Sequence, residues 1–193
     1  TYDALWIQAQ ENGAVDGIIV DHCSFYYGGD ECLSISTTST NAVATNITVQ
    51  HTLMAASSKG SLLGDIEGAT DATMAYCAYI DVDDRTPNMT TYGTGQVDAI
   101  NNFVENYGNR LNRITGDGNF NIRNYYVQPN RDNYGKHMVQ YKTAAPSSIH
   151  SSGMIRVGVK DIPTTPDFDQ WAVFAGSDLP EWSAMPEELK VDT

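Results

Sequence analysis

Apolar and polar positions along this chain do not recur at helical spacing. Gly, Asn, Ser and Thr interrupt it too often for long helices, leaving short β-branched or aromatic segments as the main regular feature. Five of them share an order of apolar, polar, His/Cys/Asn, any, apolar: Ile19-Val20-Asp21-His22-Cys23-Ser24-Phe25, Thr48-Val49-Gln50-His51-Thr52-Leu53-Met54, Ala75-Tyr76-Cys77-Ala78-Tyr79-Ile80, Ala99-Ile100-Asn101-Asn102-Phe103-Val104 and Asn121-Ile122-Arg123-Asn124-Tyr125-Tyr126-Val127. With His22, His51, Cys77, Asn102 and Asn124 taken as equivalent, the intervals are 29, 26, 25 and 22 residues. Short strands at such intervals, with no helix between them, suit a solenoid, in which a coil buries its face only by stacking on its neighbours. The pattern predicts an all-β parallel β-helix. Asn suits a repeated turn there, because its amide can bond the same group one rung away while the backbone bends tightly. An evenly spaced antiparallel sandwich is the alternative, but its hairpin signal is confined to Asn12-Gly13 and Asp117-Gly118.

Intervals above about 22 residues imply loops that leave the coil and return. Those around 26–31, 55–68, 82–96 and 106–119 emerge at comparable points on successive rungs, so they are expected to build a cleft on one side. Residues 128–160 are less regular. The stretch 161–193 carries Pro163, Pro166, Pro180, Pro186, Trp171 and Trp182, and reads as an irregular C-terminal tail packed on the coil by its aromatics. The expected organisation is a β-helix domain over 1–160 and a tail over 161–193.

Composition agrees with one foldable unit: 193 residues, 41% hydrophobic and 18% charged, so the net charge of −13 does not mark a disordered acidic tail. Apolar runs such as Gly17-Ile18-Ile19-Val20 fall far short of the roughly 20 residues of a bilayer span, and no membrane segment is expected. The charge is divided along the chain. Residues 1–105 hold 14 acids and two bases, Lys59 and Arg85; 106–160 hold eight bases against Asp117 and Asp132; 161–193 hold eight acids against Lys190. The middle stretch is either an anion-binding surface or a solvated face scattered by folding. Cys23, Cys32 and Cys77 lack metal-like spacing, so zinc is not expected. The sequons Asn46-Ile47-Thr48 and Asn88-Met89-Thr90 suggest secretion, and the opening Thr-Tyr-Asp reads as that of a processed chain or a piece of a longer one.

Six segments in order resemble successive motifs of the pectate lyases of polysaccharide lyase family 1. They are Val20-Asp21-His22-Cys23-Ser24-Phe25, Gly29-Asp30-Glu31-Cys32-Leu33-Ser34, Asn46-Ile47-Thr48-Val49-Gln50, Lys59-Gly60-Ser61-Leu62-Leu63-Gly64, Arg85-Thr86-Pro87 and Val97 to Gly108. The resemblance implies a right-handed parallel β-helix that is secreted, binds Ca2+ and acts on polygalacturonate or a related acidic polysaccharide. The reaction it implies is β-elimination: a base removes the proton at C5 and the glycosidic oxygen at C4 leaves. A carboxylate next to C5 resists the charge that develops there, so the chemistry needs calcium, Lys or Arg at that carboxylate and a base held over C5.

By the same resemblance Arg85 is the base and Lys59 binds the substrate carboxylate or sugar oxygens. A guanidinium is almost always protonated, so this role requires a locally lowered pKa beside calcium, or transient deprotonation. For calcium the resemblance offers Asp30, with Asp3 as an upstream acid on a looser alignment. The partner position four residues after Asp30 is Ser34, and Glu31 is adjacent but expected to point away from Asp30, as strand neighbours do. One acid fewer implies weaker calcium binding, or a site completed by the substrate's carboxylates. Thr90 stands where family members often carry another Arg, and a glycan on Asn88 would obstruct the cleft. His22 and His51 read as buried structural histidines. Arg110 and Arg113 are candidate substrate contacts on a loop over the cleft, with Arg123 and Arg131 one rung on. Tyr107, Phe120, Tyr125, Tyr126 and Tyr134 either stack on sugar rings or pack the rungs. No nucleic-acid motif is present, and the −13 charge argues against that partner.

A catalytically impaired relative that binds carbohydrate, and a purely structural β-helix, remain the competing readings. Because the family usually needs more chain, and the motifs begin almost at residue 1, the missing rungs are expected from a separate partner chain or a cleaved N-terminal segment, unless this is a short natural variant.

Overall fold

The computed structural model describes residues 2–65, 68–108, 111–128, 139–141, 148–153, 155–156 and 172–174, and every regular element among them is a β-strand. The first coil runs through β1 (Leu5–Ala9), β2 (Ala14–Asp21) and β3 (Ser24–Tyr26). The second comprises β4 (Glu31–Thr37), β5 (Val43–Gln50) and the first half of β6 (Leu53–Leu63), which turns a corner and opens the third coil. There follow β7 (Ala69–Ala75), β8 (Ala78–Asp84), β9 (Asn88–Thr90), β10 (Gln96–Ile100), β11 (Phe103–Glu105), β12 (Asn112–Thr115), β13 (Asn119–Arg123) and β14 (Tyr126–Gln128). Beyond these lie β15 (Val139–Tyr141), β16 (Ser148–Ser152), β17 (Ile155–Arg156) and β18 (Ala172–Phe174).

Each strand pairs in parallel with its counterpart one coil away, giving a parallel β-solenoid with three faces. One face stacks β2, β5, β7, β10, β13 and β16. A second stacks β3, the first half of β6, β8, β11, β14 and β17; the third, the cleft face, stacks β1, β4, the second half of β6, β9, β12, β15 and β18. Of residues 161–193 only β18 is described, paired with β15; the tail's expected packing through Trp171 and Trp182 lies outside the described residues.

Period-two alternation points one side of every strand inward, and those side chains form continuous columns. Ile18, Ile47, Ala72, Val97, Phe120 and Ile149 align on one face, and Phe25, Met54, Tyr79, Val104 and Val127 on another. Away from the first coil these residues are buried, and a fully buried Leu, Ile, Val, Phe or Met contributes about 1.5–3 kcal/mol over the exposed state. Interior hydroxyls find partners: Tyr79 Oη lies 2.5 Å from Ser61 Oγ, and Asn102 Nδ2 donates to Tyr125 Oη at 3.1 Å.

The corners are built by left-handed residues. After β2, β5, β7, β10 and β13 come His22, His51, Tyr76, Asn101 and Asn124, with φ of 52°, 47°, 55°, 55° and 52°. Two expected equivalences shift by one residue, because the repeated corner is Tyr76 and Asn101. Cys77 and Asn102 follow it and point inward, 2% and 1% exposed. The expected Asn-to-Asn bond between rungs is present, Asn124 Nδ2 donating to Asn101 Oδ1 at 2.9 Å. Tyr27, Ala56, Asp81 and Asn106 form a second left-handed column, at the corner leading to the cleft face.

Candidate functional site

On the cleft face, strand register aligns Glu31, Lys59 and Asp84 on successive coils. Glu31 is the first residue of β4, and Asp30 sits in the bend before it, outside the strand. Strand alternation therefore does not separate the pair, and both carboxylates reach the same cleft, contrary to the expectation that Glu31 points away. The first coil docks beneath them: Tyr2 O accepts from the Gly29 and Asp30 N–H groups at 2.8 and 3.3 Å, and Asp3 Oδ1 accepts from the Glu31 N–H at 3.0 Å.

The two cations come from the next two coils. Lys59 projects from β6 and its Nζ donates to Asp30 Oδ1, lying 3.9 Å from Glu31 Oε1. Arg85 follows β8 at a left-handed φ of 62°, a conformation seldom adopted by a non-glycine residue. The bend is held by its N–H on Asp84 Oδ1 at 2.8 Å and its carbonyl, which accepts from Ser61 N–H at 2.8 Å. Its side chain reaches back past Lys59's coil, where Nη1 donates to Glu31 Oε1. Gly60 permits this close stacking, since a Cβ there would lie 2.6 Å from the Arg85 carbonyl oxygen and 2.7 Å from the Tyr79 ring. Gly64 closes the same strand at φ 81°, where a Cβ would come within 1.8 Å of Thr90 O.

These side chains line a cavity of about 300 Å³ with Tyr2, Asp3, Trp6, Ser34, Ser36, Leu62 and Asp65. Its electrostatics are divided. The bond from Lys59 holds the Asp30 carboxyl below its ordinary range. Burial raises Glu31 to about 7 against the pull of Arg85 and Lys59, Glu31 being 3% exposed. Asp3, Asp30 and Glu31 each bring a carboxylate oxygen within 4.8 Å of the others. Ser34, 2% exposed, has an Oγ without a hydrogen-bond partner among the described residues. Three carboxylates beside a buried unpaired hydroxyl form an all-oxygen donor set that suits a hard cation such as Ca2+.

Asp3, Asp30, Glu31, Lys59 and Arg85 are thus brought together. Arg113 lies on the same face, in the outward column of Trp6, Ser34, Leu62 and Asn88, one coil beyond Asn88. Arg110 and Arg131 lie outside the described residues, as does Tyr134. Asn88 is 7% exposed within β9, leaving no room for a glycan. Tyr107, Phe120 and Tyr125 are fully buried and pack the rungs, while Tyr126 is exposed and stacks on Phe103. His22 corrects an expectation: its side chain is 74% exposed and that of His51 43% exposed, since both stand on the outer corner of the coil. Cys23, Cys32 and Cys77 are free thiols.

Sequence reasoning missed Tyr2, Trp6 and Asp65. The Trp6 indole N–H donates to Ser36 Oγ at 2.7 Å, and its ring remains 55% exposed at the end of the cleft. Its signal was the one-coil register with Ser34, readable only once the first coil is placed. A larger concavity of about 540 Å³, on the face of β2, β5, β7 and β10, is lined by Asp71, Asp98, Asn46, Gln96 and hydroxyl side chains but by no cation. The cleft cavity, unlike this one, has cationic side chains, Lys59 and Arg85, in its lining. No family model, curated protein or solved structure matches the chain.

Proposed function

We propose that this β-solenoid is a polysaccharide lyase of the pectate lyase type, cleaving polygalacturonate or a related uronic-acid polymer by calcium-assisted β-elimination. The observation that carries the reading is the convergence in one cleft of Lys59 and Arg85, the two bases of the first 105 residues, with Asp3, Asp30 and Glu31. A secreted location accords with an extracellular polymer as substrate.

Asp3, Asp30 and Glu31, with Ser34 alongside, are the residues that would hold calcium. The bound ion supplies positive charge to the substrate carboxylate and offsets the repulsion between that carboxylate and an acidic cleft. Lys59 pairs with a substrate carboxylate as a point charge, releasing Asp30. Arg85, whose bend faces its side chain into the cleft, first loses a guanidinium proton to water and then, as the neutral base, takes the C5 proton. The C5–H electrons form the C4–C5 double bond, the C4–O bond breaks, and the departing oxygen is protonated by water. Every step requires Arg85 to leave Glu31, whose carboxyl burial raises to about 7; its protonated form no longer pairs with the guanidinium.

Absorbance in the unsaturated-uronate band with polygalacturonate, with calcium and with chelator, tests the reading. A calcium-dependent rise is expected; no rise at any calcium level or pH overturns it. The ion pairs Lys59–Asp30 and Arg85–Glu31 favour a second reading, a carbohydrate-binding β-helix whose cleft is satisfied internally and does no chemistry. Polygalacturonate that binds but is not cut would support that reading.

A further inference from the structure

Outside the cleft, the corner joining β2 to β3 and β5 to β6 carries a second cluster of ligating side chains. Asp21 Oδ1 lies 2.7 Å from His22 Nδ1 and 3.2 Å from His51 Nδ1, so two imidazoles on successive coils aim the same ring nitrogen at one carboxylate oxygen. The rings stack at 4.8 Å with 27° between their planes, and Tyr76 stacks on His51 at 5.4 Å on the next coil. The three ligand atoms all lie within 4.8 Å of one another, and all three residues are exposed.

From this geometry we infer a surface site for a borderline divalent cation of the Zn2+ class, held by Asp21, His22 and His51. Two nitrogens and one carboxylate oxygen are a donor set that zinc and its neighbours accept and that calcium, an oxygen-seeking ion, does not. The Nδ1 atoms of both rings converge on one carboxylate oxygen, and an ion placed among them bonds all three residues at once. Zinc bonds of about 2.0–2.2 Å require the ligands to draw closer, which exposed rings at a surface corner can do by rotating. The left-handed corners fix the ladder: His22 at φ 52° and His51 at φ 47° are held one coil apart by the pairing of β2 with β5. The sequence reading made both histidines structural, and the lyase reading uses neither, so this site stands independently of it.

The same corner column supplies a conservative test, because Asn101 and Asn124 occupy it two and three coils beyond His51. His22→Asn and His51→Asn therefore keep a residue that tolerates the left-handed bend while removing the ligands. Zn2+ is titrated calorimetrically into the full chain after chelator treatment, at pH 7.5, with Co2+ spectra as a second readout. The wild type is expected to bind Zn2+ with a Kd in the micromolar range. Each single variant should bind at least about tenfold more weakly, and the double variant should lose both the high-affinity site and the Co2+ bands. Asp30→Asn with Glu31→Gln, which changes only the cleft, should leave Zn2+ binding unchanged. A double variant that titrates like the wild type, cleft variants that abolish binding, or a wild type that takes up no Zn2+ would each overturn the assignment.

Discussion

Arg85 is the residue on which the proposed chemistry turns. Its N–H, its carbonyl and its Nη1 are each bonded to a different neighbour, Asp84, Ser61 and Glu31, which fixes a backbone bend that a non-glycine residue seldom adopts. Arg85→Lys retains a positive charge but loses the planar fork and its reach, so the lyase rate should fall about 10²–10⁴-fold, with the solenoid intact by circular dichroism. Full activity in that variant would remove Arg85 from the reaction. Asp98, on the opposite concavity, allows a test of pH dependence. Burial raises its carboxyl above the ordinary value, while bonds from Asn121, Gln96 and Thr73 oppose the rise. A raised acid binds its proton more tightly in the folded state, so stability falls as pH climbs from the unfolded value through the folded one, and then stays at the lower level. Asp98→Asn should flatten that limb, whose slope is at most about 1.4 kcal/mol per pH unit, and should leave the protein no less stable at neutrality; urea unfolding between pH 4 and 7 measures both. Lys59 and Arg85 were legible as candidates because sparse bases stood at motif positions in an acidic stretch, and Asp30 because it matched a motif position. The direction of Glu31 was not, because strand alternation starts only where the strand does. His22 was misplaced because a left-handed corner turns its side chain outward, and sequence alone does not show which residue of the repeat takes the bend.

At the scale of strands and turns, left-handed glycines matter to the coil to different degrees. Gly64 and Gly93 both have positive φ, 81° and 60°, yet they differ in surroundings. A Cβ on Gly64 would lie 1.8 Å from Thr90 O, whereas nothing lies within 4 Å of one on Gly93. Gly93→Ala should therefore cost about 1–2 kcal/mol, the strain of a left-handed alanine alone. Gly64→Ala adds a clash with the backbone of β9 and should cost several kcal/mol more, with the cleft strand β6 displaced. Comparing their unfolding midpoints separates strain from clash, and equal losses would contradict the packing described for Gly64. The strands flanking the repeated corner were readable from short apolar segments at intervals of 22–29 residues, but the second half of β6, β9 and β12, which stack as the cleft face, lie in the stretches 55–68, 82–96 and 106–119 expected to be loops. The corner register was not readable either, since Tyr76 and Cys77, or Asn101 and Asn102, are adjacent and fit the same pattern, and the interior decides between them. Asn102 is taken inside by its bonds to Met74, Cys77 and Tyr125, which leaves the corner to Asn101.

Across the whole molecule, the proposed function would have a chain of net charge −13 hold a polyanion. At the cleft itself the four carboxyls of Asp3, Asp30, Glu31 and Asp65 outnumber Lys59 and Arg85. Two like charges about 4 Å apart repel by about 4 kcal/mol at the effective dielectric near a protein surface, which two internally paired cations do not offset for an incoming uronate. On the proposed function a bound cation changes the sign of this field, and the all-oxygen donor set beside Ser34 is where a hard cation fits. Chelation should therefore lower the lyase rate by at least about 100-fold, the several kcal/mol of charge stabilisation that a metal ion supplies. Calcium should restore the rate, while magnesium, which keeps its waters and demands octahedral geometry, should restore little. Asp30→Asn should raise the calcium concentration needed for half-maximal rate at least about tenfold and leave Zn2+ uptake at His22 and His51 unchanged. A rate indifferent to chelator would mean that Lys59 and Arg85 suffice against the acidic cleft, and would exclude calcium from the reaction.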